Sequence, residues 1–387
     1  EEDSIGEVLN ARAFERYNVR RIRIMKKILS LGMALTLTMC LLAGCGSSGN
    51  ETKAPETTGE TAGENGAETE ASADHSDLKL TIYSAVFDDE TQAICERFQE
   101  ETGIQTDCVV LGGGEILARI QAEKDNPTAS VWFGGPADPF ITAKEEGLLL
   151  QYESPNAASI EDKYKDADNY WNGIYIGYVG FVSNNERLEE LGIEAPQSWQ
   201  DLLQPELEGE IMLASPAASS TGYVILASVL QLVGIDDGFE YMQNLDANVL
   251  QYTERGSGCI ASVISGEVAV GICFCHDAIM NQLEGYEDLL EVTVPSEGTG
   301  YETGAMAILA DGPDQEAAKI FYDWALTADC QNMFKDYGAY QFLTAEGAEN
   351  PEAAASIADA KTIEYDTVWA GENKAEFTAK WAEMTGN

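Results

Sequence analysis

The sequence predicts an α/β protein of two lobes, on three observations. Strand-like segments of period two alternate with helix-like segments from residue 78 onward. A fresh series of the same units begins near residue 210, which indicates a second lobe. Between the two series, the aromatic and glycine-rich stretch at 170–184 is typical of a segment that passes from one lobe to the other. Two lobes connected in this way imply a cleft.

The first series of units starts at residue 78. LKLTIYSA alternates apolar and polar positions, and the helix-like segment after it has an acidic first turn with Ile94 and Phe98 four residues apart. Strands are predicted at 78–85, 105–110 and 129–133, and the second and third are followed by helices that end near residues 125 and 146. Repeated units of this kind build a parallel sheet with helices on both faces.

The second series follows the strand-like stretch at 170–184. GEIMLASPAASSTGYVILASVLQLVG predicts a strand, a loop and a long apolar helix. Two more helices are predicted near 237–245 and 257–265, and EVAVGICF at 267–274 predicts a buried strand. YETGAMAILA at 301–310 is again strand-like and leads into the amphipathic helix DQEAAKIFYDWALT and further helical segments.

The first 77 residues are not expected to join this core. MKKILSLGMALTLTMCLLAGC, starting at Met25, has two lysines, an apolar run and small residues before a cysteine, which is typical of an export signal over 25–44. An uncleaved anchoring helix is the alternative. Residues 1–24 are interpreted as upstream translation absent from the mature protein. Residues 45–77 lack large apolar side chains and predict a disordered tether, because such a segment cannot repay the entropy of ordering.

The cysteines indicate a lipid anchor and no zinc or redox site. Leu42, Ala43, Gly44 and Cys45 resemble the lipobox of bacterial lipoproteins, which implies cleavage before Cys45 and a lipid on that residue at the outer face of the membrane. The six cysteines after Cys45 show no CxxC pairing. We expect buried free thiols, and a bridge between Cys95 and Cys108 remains open.

The charge balance excludes nucleic acid as a partner. The chain has 67 acidic against 22 basic residues and a formal net charge of −45, without a basic patch that could neutralise phosphates. The net charge says little about a small ligand, since charges are screened over about 8 Å at physiological salt. Binding of such a ligand depends on the hydrogen-bond donors close to it. We expect no cofactor.

Several stretches together resemble the extracellular solute-binding proteins of ABC importers, and most closely the branch that binds ferric ion and hexose phosphates. They are LTIYSAVFDDET, GGGEILARIQAEKDNPTASVWFGG, APQSWQDLL, SPAASSTGY, GEVAVGICFCHDA, PSEGTGYETGAMAIL and AAKIFYDWALT. The resemblance runs in the expected order from about residue 78 to the C-terminus.

This resemblance implies the type II periplasmic-binding-protein fold: two α/β lobes with a ligand cleft and two crossover segments. Lobe one would comprise 78–182 plus 302–387, and lobe two 183–301. The implied partners are a small-molecule solute, an ABC permease and an ATPase. The implied state is a monomer that binds its solute and is not an enzyme. The sequence does not separate a transport subunit from a sensor subunit.

Backbone donors for an anionic ligand are expected where parallel strands end and helices begin. Four segments follow such strand ends, and each taken alone also fits a tight turn or an ordinary helix cap. The candidate ligand-binding residues in them are Ser84, Gly112, Gly113, Gly114, Gly135, Ser219, Ser220 and Thr221. On both sides of a cleft they would form an anion site of neutral donors.

His276 and Asp277 follow the predicted strand that carries Cys273 and Cys275 on one face. In ferric-ion members of the resembled family this strand end carries two adjacent tyrosines, and this chain has no such pair. His276 and Asp277 match the place that a His-Asp pair holds in hexose-phosphate binders, and Glu302 is matched to the later Glu. Such side chains suit ligand hydroxyls. We therefore expect a phosphorylated or phosphonate organic solute, and no bound metal.

Two alternative functions and the role of three aromatic residues stay open at this point. A ferric-ion protein would use His276, Asp277, Glu302 and Glu115, although Fe(III) prefers anionic oxygen donors. A secreted hydrolase would use Ser219 or Ser220 as nucleophile and His276 as base, but GxSxG is lacking around these serines. Trp171, Tyr175 and Tyr301 are either apolar walls of the ligand site or core residues.

Overall fold

The computed structural model describes residue 75 and residues 77–386. The predictions for the upstream segment, the export signal, the lipid on Cys45 and almost all of the tether lie outside the described residues. Within the described residues, no helix is both long enough and apolar enough to span a membrane.

Ten strands and eleven α-helices make up the fold of the described residues. The strands are β1 (Lys79–Ser84), β2 (Gln105–Val110), β3 (Val131–Pro136), β4 (Asn172–Asn184), β5 (Ile211–Ala214), β6 (Val249–Thr253), β7 (Val270–Phe274), β8 (Leu290–Thr293), β9 (Tyr301–Ile308) and β10 (Phe342–Leu343). The helices are α1 (Asp88–Thr102), α2 (Gly113–Ala122), α3 (Asp138–Glu145), α4 (Asn185–Leu191), α5 (Ser220–Val233), α6 (Ile235–Asp246), α7 (Gly258–Ser265), α8 (Cys275–Asn281), α9 (Gln315–Ala325), α10 (Ala328–Gln331) and α11 (Thr367–Thr385).

The strands join in the order β2-β1-β3-β9-β4-β7-β5-β6, and β8 and β10 pair with β4. β1 is parallel to β2 and β3, and β5 is parallel to β6 and β7, so each series of βα units forms a parallel block as predicted. β9 and β4 lie antiparallel between the two blocks. The α/β fold class predicted from the sequence is confirmed.

The long strand β4 belongs to both blocks. Up to Tyr178 it pairs with β9, and from Val179 onward it pairs with β7 and β8. The change of partners lies inside the stretch predicted to pass between lobes. The lobe boundaries at 182 and 301 remain a prediction, and we note that α11 contacts helices of both blocks, namely α3, α5 and α6.

One local prediction is wrong. Cys275 does not continue the strand of Cys273; β7 ends at Phe274 and Cys275 is the first residue of α8. Both cysteines are buried, so they do pack in the interior, but they do not share one strand face. His276 and Asp277 accordingly lie in the first turn of a helix, directly beyond the carboxyl end of β7.

A disulfide joins Cys95 on α1 to Cys108 on β2, which decides the question that the sequence left open. Among the described residues, Cys259, Cys273, Cys275 and Cys330 are buried free thiols, as expected. The bridge spans 13 positions of the sequence. A loop of that size is expected to stabilise the fold by about 3 kcal/mol, because the cross-link restricts the unfolded chain.

We therefore expect the double variant Cys95→Ser/Cys108→Ser to lose about 3 kcal/mol of unfolding free energy in urea denaturation. Adding a reductant should destabilise the wild-type protein by a similar amount and leave the double variant unchanged. Equal stability of variant and wild type would contradict the prediction.

Candidate functional site

Gly177 on β4 lies under two polar side chains. Glu302 on β9 is its cross-strand partner, and His276, in the first turn of α8 directly after β7, also approaches it. A Cβ atom on Gly177 would lie 2.8 Å from Cε1 and Nδ1 of His276 and 3.0 Å from Oε1 of Glu302, which is closer than side-chain atoms pack. The close approach of these two groups therefore requires a glycine at this position.

The imidazole of His276 lies between two carboxyl groups. Its Nε2 atom is 3.8 Å from Oδ1 of Asp277 and 3.8 Å from Oε1 of Glu302. Nδ1 is buried and has no hydrogen-bond partner among the described residues. Burial lowers the pKa of His276, although the charge of Asp277 opposes this, so the ring is neutral at neutral pH and offers one donor and one acceptor.

The carboxyl group of Glu302 is held partly in its protonated form. Its side chain is 13% exposed. Burial raises the pKa of Glu302 to about 8, and the negative charges of Asp277 and Asp138 add to the effect. Close to neutral pH this group can therefore donate as well as accept a hydrogen bond, which suits a hydroxyl-bearing ligand.

Three loops of the first block meet beside this cluster. A Cβ atom on Gly135 would lie 3.0 Å from Cβ of Ala85 and 3.9 Å from Cα of Gly113, so the chain ends of β1, β2 and β3 converge as predicted. The Gly135 N–H donates to the hydroxyl of Tyr175 at 3.2 Å. The Tyr175 ring reaches it by crossing Gly304, where a Cβ atom would lie 2.0 Å from the ring.

Other predicted residues of this block already have partners inside the chain. The hydroxyl of Ser84 is buried and lies 2.7 Å from that of Thr91, with which it shares a hydrogen bond. The Gly112 N–H donates to the carboxylate of Glu115 at 2.8 Å, which caps α2. Gly114 borders open space. A ligand at this end would have to displace these internal contacts, and the ligand role of these residues remains a prediction.

In the second block, Ser219 is the N-cap of α5. Its hydroxyl accepts a hydrogen bond from the Gly222 N–H at 3.4 Å. Ser220 is exposed. Thr221 packs on Gly256 in the loop after β6, where a Cβ atom would lie 2.1 Å from the Thr221 hydroxyl oxygen. The loops after β5 and β6 thus meet at the start of α5, and Ser219, one of the two serines that the hydrolase alternative would use as nucleophile, serves as a helix cap.

The structure shows where the three aromatic candidates, Trp171, Tyr175 and Tyr301, lie. Trp171 is buried in a cluster with Trp132 and Phe140, so it belongs to the core. Tyr301 is also buried, and its ring centroid lies 5.2 Å from that of Tyr164. Tyr175 is buried too, but it reaches the loop of Gly135 next to Glu302.

Sequence reasoning missed Gly177. A glycine inside a strand marks a close backbone or side-chain approach, but GIYIGYVG has three such positions, at Gly173, Gly177 and Gly180. All three have close neighbours in the structure, so the sequence signal could not select the one at the site.

The described residues contain no group of three His, Cys, Asp or Glu side chains arranged to hold a metal ion. His276, Asp277 and Glu302 are close together, with Nε2 of His276 3.8 Å from each carboxyl group, but they do not form such a group. Glu115 is engaged at the start of α2.

Known proteins similar to this chain include solute-binding proteins. The sequence profile of the bacterial extracellular solute-binding protein family matches residues 137–366. The periplasmic binding protein AfuA from Actinobacillus pleuropneumoniae, solved with exogenous fructose-6-phosphate bound, is 38% identical and has a TM-score of 0.69 over 80% of this chain and 98% of its own. Such a match supports the type II fold as well as the family.

Two relatives extend the comparison. An uncharacterised protein of Haemophilus influenzae is 36% identical over 317 residues, covering 79% of this chain and 90% of its own length. A putative 2-aminoethylphosphonate-binding periplasmic protein of Salmonella typhimurium is 30% identical over 251 residues, covering 62% of this chain and 70% of its own. The similar proteins thus differ in the solute that their names give.

Proposed function

This chain belongs to the bacterial extracellular solute-binding proteins of ABC importers, and from that premise we propose that it captures a small phosphorylated or phosphonate organic solute, hexose-phosphate-like, by closure of its lobes. Membership of the family gives it a small-molecule solute, a permease and an ATPase as partners, and indicates export. Its relatives are binding proteins and not enzymes. A lipid on Cys45 as membrane anchor and a monomeric state complete the proposal.

The observation that carries the solute class is the pairing of His276 and Glu302 over Gly177. A neutral imidazole with an unpartnered nitrogen and a carboxyl group with a pKa of about 8 offer both donors and acceptors within one small space. Hydroxyl groups need that mixture, since each one both donates and accepts. A bare anion such as phosphate would meet acidic neighbours here and would be disfavoured.

The anionic end of the solute is assigned to the other side of the site. The first N–H groups of α2 and α5 lack partners inside their helices, and glycines at 113, 114 and 135 let a ligand approach the backbone. These donors are neutral, so they can bind a phosphate or phosphonate despite the net charge of −45.

A thermal-shift panel tests the proposal. We expect hexose phosphates to stabilise the purified protein by about 2.7 kcal/mol at a hundredfold excess over the dissociation constant. The panel also contains aminoethylphosphonate, inorganic phosphate, Fe(III)-citrate and Fe(III) with carbonate. A response to the iron compounds alone would show that the ferric alternative is right. Turnover of any panel compound would instead show that the protein is an enzyme.

A further inference from the structure

Arg255 is the one arginine of the described residues that lacks a carboxylate partner. Its side chain is exposed and makes no hydrogen bond, ion pair or cation–π contact with any described residue. The other three arginines that the structure describes pair with glutamates: Arg97 with Glu101, Arg119 with Glu123, and Arg187 with Glu190 and Glu210. In a chain with 67 acidic against 22 basic residues carboxylates are abundant, so an arginine that pairs with none of them is available to a ligand.

The loop that carries Arg255 packs on the start of α5. Arg255 follows β6 and precedes Gly256, where a Cβ atom would lie 2.1 Å from the hydroxyl oxygen and 2.7 Å from the Cβ atom of Thr221. The Ser215 N–H donates to the carbonyl of Thr253 at 2.8 Å, which ties the loop after β5 to the end of β6. Because an arginine side chain is long, the Arg255 guanidinium can reach an anion held at the first turn of α5.

The first turn of α5 offers further donors. The N–H groups of Ser220 and Thr221 have no acceptor among the described residues, and neither hydroxyl makes a hydrogen bond there. Arginine binds phosphate groups through two parallel hydrogen bonds, and free N–H groups at a helix start also favour anions. A charged donor and several neutral donors without partners therefore lie within one small region.

This region is one strand spacing further than α5 from the His276 cluster. β5 lies between β7 and β6, since Leu213 pairs with Ile272 on one side and with Tyr252 on the other. Neighbouring strands are about 4.8 Å apart, so the ends of β7 and β6 are separated by about 10 Å. His276 follows the end of β7 and Arg255 follows that of β6. This spacing suits an extended solute with hydroxyl groups at one end and an anionic group at the other.

We propose that Arg255 binds the phosphate or phosphonate group of the captured solute, together with the N–H groups of Ser220 and Thr221. This inference rests on the proposed function and sharpens it, because it adds a cation to the neutral donors and assigns the anionic end to the second block. Only two residues of 183–301 are lysine or arginine, and the other, Arg187, is held by glutamates. Arg255 is thus the residue of that block that can neutralise the charge of the solute.

The test compares Arg255→Gln and Arg255→Lys with wild type by isothermal titration calorimetry, using glucose 6-phosphate and aminoethylphosphonate. We expect Arg255→Gln to bind whichever compound wild type binds roughly tenfold or more weakly, because a hydrogen bond between charged groups is lost. Arg255→Lys should retain more affinity, since it keeps the charge and loses only the paired geometry. Added salt should weaken binding by wild type more than binding by Arg255→Gln. The ligand-free variants should melt at the wild-type temperature, because the side chain is exposed and unpaired.

Arg97→Gln is the matched control, because it removes the same charge from an exposed arginine on α1. It should bind like wild type. If Arg97→Gln weakens binding as much as Arg255→Gln does, the effect is one of net charge and the inference is wrong. If Arg255→Gln binds as tightly as wild type, the inference is wrong while the proposed function stands. If wild type binds neither compound, the proposed function fails and the inference fails with it.

Discussion

Gly177→Ala is expected to weaken solute binding by roughly a hundredfold, since the ligand contacts proposed for His276 and Glu302 would both be lost. The added methyl carbon would lie 2.8 Å from two ring atoms of His276 and 3.0 Å from Oε1 of Glu302. The neighbours are ends of side chains, which can rotate away, so the fold should survive while the site is displaced. Calorimetric titration with the solute found in the thermal-shift panel measures the loss.

Gly371→Ala is the matched control for that substitution. Gly371 lies on α11, is exposed, and has open space where a Cβ atom would be built. The same chemical change there should leave binding unaltered and should not lower the melting temperature, because alanine favours a helix over glycine. Near-normal binding by Gly177→Ala would mean that His276 and Glu302 do not hold the solute.

The ligand-free protein is expected to lose stability as the pH rises from about 5 to about 8. Burial raises the pKa of Glu302 and of Glu90 to about 8 in the folded state, well above the usual range of a carboxyl group. A raised pKa means that the folded state holds a proton that the unfolded chain releases, so this contribution is complete below the unfolded pKa and disappears as the pH passes the folded one. Each group contributes on the order of a few kcal/mol.

Urea denaturation of wild type, Glu302→Gln and Glu90→Gln at several pH values measures this effect. Each variant replaces a titrating group by a neutral one of similar shape, so its stability should fall less steeply between pH 5 and 8 than that of wild type. His276 acts in the opposite sense, since its lowered pKa removes stability as the pH falls. Its contribution is common to all three proteins and cancels in the comparison. Parallel pH profiles would contradict the prediction.

The positions of the site residues along their elements were predictable. His276 and Asp277 follow β7, and Ser219 precedes α5, because the period of apolar residues and the turn residues fix where a strand ends and a helix begins. The error at Cys275 arose at an element boundary, where the apolar pattern of a strand and that of a buried helix turn are alike. The disulfide was left open because spacing alone does not give the distance between two cysteines.

The sequence by itself determined the α/β class, the two series of βα units and the strand ends at which polar residues gather, because each of these depends on local periodicity and turn chemistry. Only the tertiary structure decided which of those residues meet. Gly177, His276 and Glu302 come from distant parts of the chain. Gly177 and Glu302 are paired by the register of β4 with β9, and the register of β4 with β7 brings the end of β7, after which His276 follows, close to Gly177. Register is set by packing of the whole sheet, and a shift of one residue in β9 would turn the side chain of Glu302 to the opposite face.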